Sequence, residues 1–116
     1  MKQLIRPVLF LDFDDVICLN NPYGGYDALT ALAEAAREGT PLRAEDELWS
    51  SLFDHQAIAH LKLVHDEFYP QYVLSTSWRW FFDRVLLEKT LELGGLGFVA
   101  QALHLAWTTP QISRRA

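Results

Sequence analysis

Pro-Val-Leu-Phe-Leu-Asp-Phe-Asp-Asp-Val, residues 7–16, is the stretch that decides the fold, because an apolar run ends abruptly in three carboxylates. The apolar residues do not alternate with polar ones, which is typical of a central strand buried on both faces of a parallel sheet. Acids at the carboxyl end of such a strand lie where open α/β sheets bind their ligands. Because burying an unpartnered carboxylate is costly, this strand end predicts a cation, hydrogen-bond donors or an open crevice beside it.

The composition indicates one globular domain over residues 1–116. Half of the residues are hydrophobic, which excludes a disordered chain. The formal net charge of −5 argues against a protein whose whole surface binds nucleic acid or anionic membrane. A single cysteine, Cys18, excludes an internal disulfide and fits a reducing compartment. The apolar run before Asp12 is too short for a signal peptide or a membrane span. We therefore expect a cytoplasmic domain with no membrane partner.

Turn formers and two helical patterns follow the first strand. The Asn, Pro and Gly residues between positions 17 and 26 predict a loop that lies over the strand end as a flap or lid. A helix is expected to begin near Asp27 and to end at Gly39. Asp54 is placed to cap a second helix that ends at Pro70. The buried face of this second helix is expected to carry Ala57, Leu61, Val64 and Phe68.

A second strand and further helices complete the pattern. Residues 72–76, Tyr-Val-Leu-Ser-Thr, predict a buried strand that again ends in polar residues. Residues 79–93 predict a third helix and residues 98–105 a short fourth one. This order of elements favours an α/β layered fold. In the third helix, Phe82, Val85, Leu86 and Leu93 are expected to face inward, and Arg84, Glu88 and Glu92 to face solvent.

The side chains at the two strand ends suggest phosphate chemistry. Asp12 and Asp14 are two residues apart, so their carboxylates can converge where the chain turns. Such a pair suits Mg²⁺, or a nucleophile beside a proton-transferring group, although acids are also ordinary at a solvated strand end. After the second strand, hydroxyls and an arginine are placed to bind phosphate, although hydroxyls are equally common as helix caps. These residues are Ser75, Thr76, Ser77 and Arg79.

The motifs at residues 9–16 and 72–76 together resemble those of the haloacid dehalogenase (HAD) superfamily of phosphatases and phosphotransferases. The run Ser-Thr-Ser-Trp-Arg, residues 75–79, is most similar to small domains associated with bacterial RNA-repair proteins. The resemblance implies a three-layer, Rossmann-like parallel sheet with residues 17–26 in the position of the family's squiggle and flap. It also implies that Asp12 forms an aspartyl-phosphate, and that Asp14 is the general acid/base. The Asp12 carboxylate and Asp14 carbonyl would hold Mg²⁺, and Thr76 or Ser75 the phosphoryl group.

The sequence departs from the family pattern in its later part. After Asp83 the acids are Glu88 and Glu92, both on the third helix, so the family's fourth motif, a strand ending in acids, has no counterpart. Arg114 or Arg115 is the candidate for the basic third motif, and Arg115 is counted among the expected phosphate ligands. We therefore expect an incomplete core that lacks the C-terminal strands, in a chain that is either truncated or a degenerate homologue and is weakly active or inactive.

Other functions and partners are also consistent with the sequence. By analogy with the family, the substrate is a phosphorylated small molecule or a nucleic-acid end. A catalytically dead interaction module and, with less support, a receiver-type phospho-acceptor domain are the alternatives. A homodimer through an exposed sheet edge is a further expectation. Most of the four tryptophans are expected to pack in the core rather than to stack on bases.

Overall fold

The structure, a computed structural model, describes residues 6–75, 78 and 82–108. Strands and helices alternate along this part of the chain, as the sequence predicts for an α/β fold. The elements, in chain order, are β1 (Val8–Leu11), α1 (Gly25–Glu38), α2 (Glu47–Leu52), α3 (His55–Phe68), β2 (Gln71–Leu74), α4 (Arg84–Leu93), α5 (Gly97–Ala100) and β3 (Leu103–Thr108).

The three described strands form one parallel sheet in the order β1-β2-β3. Val8 pairs with Gln71 and Leu11 with Leu74, so β1 and β2 run in register over their whole length. The β2–β3 pairing is shifted between Tyr72 and Leu74 by an irregularity. Because the strands are parallel, the carboxyl ends of β1 and β2 meet at one edge of the sheet, where the acids and hydroxyls follow.

The helix boundaries follow from capping residues that the sequence shows. Gly39 ends α1 with a φ of +70°, a left-handed conformation that glycine adopts without strain. The Asp54 side chain accepts a hydrogen bond of 2.9 Å from the backbone N–H of Ala57 and so begins α3, as predicted. Asp83 caps α4 in the same way, at 2.8 Å from the N–H of Leu86, so α4 begins later than residue 79.

The hydrophobic core lies between the helices and one face of the sheet. Leu11, Tyr72 and Leu74 belong to it from the strands, and Trp49 and Trp78 are almost completely buried in it, which confirms the expected packing role of these tryptophans. Phe13, Phe53 and Phe82 surround the Trp78 ring, with centroid distances of 4.8, 5.8 and 5.3 Å. Such aromatic contacts stabilise beyond the area that they bury.

The prediction that β1 is a central strand buried on both faces is wrong for the described part of the chain. β1 is an edge strand, and Val8 and Phe10 are 44% and 63% exposed, whereas Leu9 and Leu11 face the core. Residues from all of the described helices join Leu9 and Leu11 in one core cluster, so the helices pack against the face of the sheet that carries these two leucines.

Two predicted helix faces are correct only in part. Val64 and Phe68 are exposed, while His65 is buried on α3, with its Nδ1 hydrogen-bonded at 2.9 Å to the hydroxyl of Tyr72. Of the residues predicted to face inward on the third helix, Phe82 is buried and Leu86 and Leu93 pack against the core, but Val85 is 74% exposed. Apolar periodicity alone misses His65 because a histidine with a buried polar partner can replace an apolar residue in the core. The residues of α4 that are buried are Leu87, Thr90 and Leu91.

The helix predicted over residues 98–105 is the remaining error of the element assignment. Only Gly97–Ala100 is helical, and Leu103–Thr108 forms β3 beside β2. Leu and Ala in this segment favour a helix locally, but pairing with β2 is a non-local interaction that overrides that preference. None of the described helices combines the length and the apolar character needed to cross a membrane.

Candidate active site

The ends of β1 and β2 bring Asp12 and Ser75 to neighbouring positions. The backbone N–H of Ser75 donates a hydrogen bond of 2.8 Å to the carbonyl of Leu11, the residue before Asp12. Both Asp12 and Ser75 are exposed. The Oδ1 atom of Asp12 accepts a 2.8 Å hydrogen bond from the N–H of Phe13, which fixes the start of the turn. A carboxylate and a hydroxyl thus share one open edge of the sheet.

A tight turn directs the chain away from the sheet directly after Asp12. The carbonyl of Phe13 accepts hydrogen bonds from the N–H groups of Val16, Ile17 and Cys18, at 3.1, 2.9 and 2.8 Å. Asp15 has a φ of +63°, in the left-handed region that favours glycine. Aspartate is one of the few residues besides glycine that tolerate this conformation.

Phe13 separates the two acids and anchors the turn. Its ring is fully buried against Trp78 and Phe53, so the flanking acids are held at the surface of the core. Asp12 is exposed and Asp14 is half-buried.

Asp14 is held by two side chains from other parts of the site. Its Oδ1 atom accepts a hydrogen bond of 3.0 Å from Nε1 of Trp78, which follows β2. The same oxygen accepts a longer one, 3.4 Å, from Nδ2 of Asn20 in the loop after the turn. Bonds to an ionised acceptor are among the stronger ones in proteins, so this pair restricts the orientation of the Asp14 carboxylate.

The predicted flap, residues 17–26, is a loop as far as Gly24, and α1 begins at Gly25. Its start is held by the N–H of Asp54, which donates a 2.7 Å hydrogen bond to the Ile17 carbonyl. The Cys18 thiol points inward and donates to the carbonyl of Tyr23 at 3.6 Å. Burial raises the pKa of the Cys18 thiol, which disfavours the reactive thiolate form.

The strand end offers the kind of ligand that Mg²⁺ prefers. Asp12 and Asp14 supply hard oxygen ligands, which suits a cation that is usually held by one or two carboxylates, substrate phosphate and water. Within residues 6–75, 78 and 82–108, no three His, Cys, Asp or Glu side chains are grouped as a metal site. The site therefore fits a magnesium ion that the substrate helps to bind, and does not form an all-protein cage.

Of the residues predicted to bind phosphate, Ser75 is the one that the structure describes. Its amide is already bonded to Leu11, so its hydroxyl is the group that it can offer a ligand. The predictions for Thr76, Ser77, Arg79 and Arg115 lie outside the described residues.

Sequence reasoning missed two members of this site. The sequence predicts Asn20 as a turn former and most tryptophans as core residues, but Asn20 and Trp78 both donate to Asp14. Their positions in the sequence could have indicated this role, because Trp78 directly follows the strand-end hydroxyls and Asn20 lies in the loop over the acids. A tryptophan buried beside an acidic turn needs an acceptor for its indole N–H.

No protein-family model matches the chain, and neither the curated proteins nor the solved structures include one with significant similarity to it. The fold and the site nevertheless define a class. The chain is an α/β protein with a parallel sheet, compatible with a Rossmann-like core, that places two aspartates and a serine hydroxyl at adjoining strand ends.

Proposed function

We propose that this domain performs magnesium-dependent phosphoryl transfer in the manner of the HAD superfamily, with Asp12 as nucleophile and Asp14 as general acid/base. One observation carries the proposal: the 2.8 Å bond from Ser75 N–H to the Leu11 carbonyl, which joins the ends of the two motif-bearing strands. A carboxylate, a tethered second carboxylate and a hydroxyl at one sheet edge match the requirements of transfer to an aspartate.

In the first half-reaction, a carboxylate oxygen of Asp12 attacks phosphorus, and the bond between phosphorus and the leaving oxygen breaks. Asp14 gives its proton to that leaving oxygen. In the second half-reaction water attacks the aspartyl-phosphate, Asp14 takes the water proton, and inorganic phosphate leaves while the Asp12 carboxylate is regenerated. The open position of Asp12 gives a phosphate ester access to it.

The phosphoryl group must be held in line and its charge compensated. The Ser75 hydroxyl is the described donor, and Thr76, Ser77, Arg79 and Arg115 are proposed as further ligands from the sequence. Mg²⁺, held by the Asp12 carboxylate and the Asp14 carbonyl, would reduce the repulsion between the anionic nucleophile and the phosphate. With few metal ligands from the chain, we expect slow turnover. The proposed substrate is a phosphorylated small molecule or a nucleic-acid end.

The test is hydrolysis of p-nitrophenyl phosphate and acetyl phosphate with and without Mg²⁺. We expect Asp12→Asn to reduce magnesium-dependent turnover by at least about a hundredfold, because the nucleophile is lost. Asp15→Asn is the matched control, since it removes a neighbouring exposed charge and asparagine also tolerates the left-handed conformation. Equal activity in Asp12→Asn and the wild type would exclude the mechanism.

The alternative is a non-catalytic interaction module, favoured by the lack of a three-residue metal group among the described residues. Magnesium with beryllofluoride, a phosphoryl analogue, distinguishes the two. A saturating analogue at about 100 times its Kd stabilises an enzyme by about 2.7 kcal/mol, and does not change the thermal unfolding of an inert module. A receiver-type domain would instead be phosphorylated by acetyl phosphate on an aspartate other than Asp12.

A further inference from the structure

We propose that Trp78 and Asn20 are positioning residues for Asp14, and that Gly24 and Gly25 are glycines because they admit these two side chains to it. The inference rests on the proposed role of Asp14 as acid/base. It starts from the two hydrogen bonds onto one oxygen, Asp14 Oδ1, at 3.0 Å from Trp78 and 3.4 Å from Asn20.

The two bonds restrict how the Asp14 carboxylate can turn, because both donors fix the position of the same oxygen. The buried indole also holds the carboxylate at one rotation, because Trp78 is packed on three sides by aromatic rings. Orientation of this kind is what a general acid/base needs.

Gly25 is the residue against which the donating end of the indole packs. A Cβ placed on Gly25 would lie 2.7 Å from Cε2 and 2.9 Å from Nε1 of Trp78. Real Cβ contacts are not this short, so with any larger residue at position 25 either the indole or the start of α1 must shift, and both movements strain the bond to Asp14. Glycine at position 25, the first residue of α1, is therefore explained by the hydrogen bond from Trp78 to Asp14. Helix propensity does not explain it, because alanine favours a helix more than glycine does.

Gly24 has the same relation to the second donor. A Cβ on Gly24 would overlap Oδ1 of Asn20, so a side chain there would push the Asn20 amide out of its place. Asn20 itself has a φ of +60°, so it holds its amide over Asp14 at some conformational cost. Each glycine of the pair thus makes room for one donor to the same carboxylate oxygen.

A double-mutant cycle tests the positioning role. We expect Trp78→Phe to lower kcat for acetyl phosphate about tenfold to a hundredfold, the range for a hydrogen bond to a charged group, with KM nearly unchanged. In an Asp14→Asn background the same substitution should have no further effect on kcat. Equal losses in both backgrounds would show that Trp78 acts only through the fold.

A second set of variants changes the glycines and leaves both donors, Trp78 and Asn20, in the chain. Gly25→Ala and Gly24→Ala should lower kcat, the first more, because it displaces the shorter hydrogen bond. Gly97→Ala is the control, since a Cβ there meets nothing within 4 Å. Full activity in Gly24→Ala and Gly25→Ala would overturn the role given to the glycines, even if Trp78→Phe fails to fold.

An NMR measurement decides the geometry without reference to activity. The indole N–H resonance of Trp78 should shift in Asp14→Asn and in Gly25→Ala, while those of the other three tryptophans stay in place. An unmoved Trp78 resonance would overturn the inference. If turnover does not depend on Asp12, the proposed function fails, and this spectrum still shows whether Trp78 holds Asp14.

Discussion

Asp15 lies in the turn directly after Asp14 and has a φ of +63°, a backbone conformation that most residues avoid. The turn requires this conformation, because the Asp15 N–H donates a 2.8 Å hydrogen bond to the Cys18 carbonyl. We expect Asp15→Val to lower the free energy of unfolding by about 1–2 kcal/mol, since a β-branched residue is strained there. Asp15→Gly should unfold at the same urea concentration or a higher one. Similar urea midpoints for Asp15→Val and Asp15→Gly would show that the backbone at position 15 does not strain a β-branched residue.

His65 links stability to pH. Burial lowers its pKa, because the charged imidazolium is poorly solvated against Tyr72 and Phe98. Below the ordinary histidine pKa of about 6.5 the unfolded chain then binds a proton that the folded chain does not. Stability contributed by this group is thus present above pH 6.5 and decreases as the pH falls towards the lowered pKa.

Urea unfolding of the wild type at pH 7.5 and at pH 5.5 measures this loss. His65→Gln should reduce the difference between the two free energies of unfolding, whereas His60→Gln, at an exposed position of the same helix, should leave it unchanged. A difference that is the same in all three proteins would show that His65 is not the group responsible. The Tyr72 partner does not interfere, because burial raises its pKa to about 12.

At the scale of elements, the N-terminus of α3 depends on one capping side chain. Asp54→Ala removes the bond to the Ala57 N–H and should cost about 1 kcal/mol of folding free energy. Asp46 is the matched control: it is the N-cap of α2, but its side chain makes no capping hydrogen bond. Asp46→Ala should therefore have a smaller effect in the same urea titration. If both variants lose the same free energy of unfolding, the negative charge at the helix start stabilises the fold and the capping hydrogen bond does not.

The elements that could be predicted are those whose ends are encoded locally. Gly39 and Asp54 are visible as caps, and the apolar runs of β1 and β2 end where their side-chain chemistry changes. These signals act within a few residues, so a single sequence is sufficient to locate them.

Features that depend on distant partners could not be predicted. β3 forms because it pairs with β2. His65 is buried because its Nδ1 atom is hydrogen-bonded to the hydroxyl of Tyr72. The bond from Trp78 to Asp14 joins residues 64 positions apart, so the position of Trp78 after β2 indicates it only once β1 and β2 are known to be neighbours. In the site, the acids and Ser75 could be located from the sequence, but their supporting donors could not.

At the scale of the whole molecule, β1 leaves one edge of the described sheet without a paired strand. The carbonyls of Pro7 and Leu11 point towards β2, because they accept hydrogen bonds from the backbone N–H groups of Gln71 and Ser75. The peptide groups of Val8 and Phe10 therefore point the other way, and both side chains are exposed. Such an edge, apolar and without a lysine or proline within the strand, is a template for another strand.

We expect a second copy of the chain to occupy this edge. Two β1 strands related by a two-fold axis at Leu9 run antiparallel, so Val8 of one copy lies opposite Phe10 of the other. Pairing would also cover the exposed Phe10 ring, which is 63% accessible in the single chain.

Sedimentation over a range of protein concentrations tests this association. The wild type should shift from monomer to dimer as concentration rises, and Phe10→Lys should remain monomeric, because it places a charge in the apolar ladder. Val85→Lys is the matched control, since Val85 is a still more exposed apolar residue, on α4 rather than on the edge strand. If Val85→Lys abolishes the dimer while Phe10→Lys preserves it, association occurs through the helical layer instead. A wild type that is monomeric at every concentration would show that the β1 edge does not pair with itself.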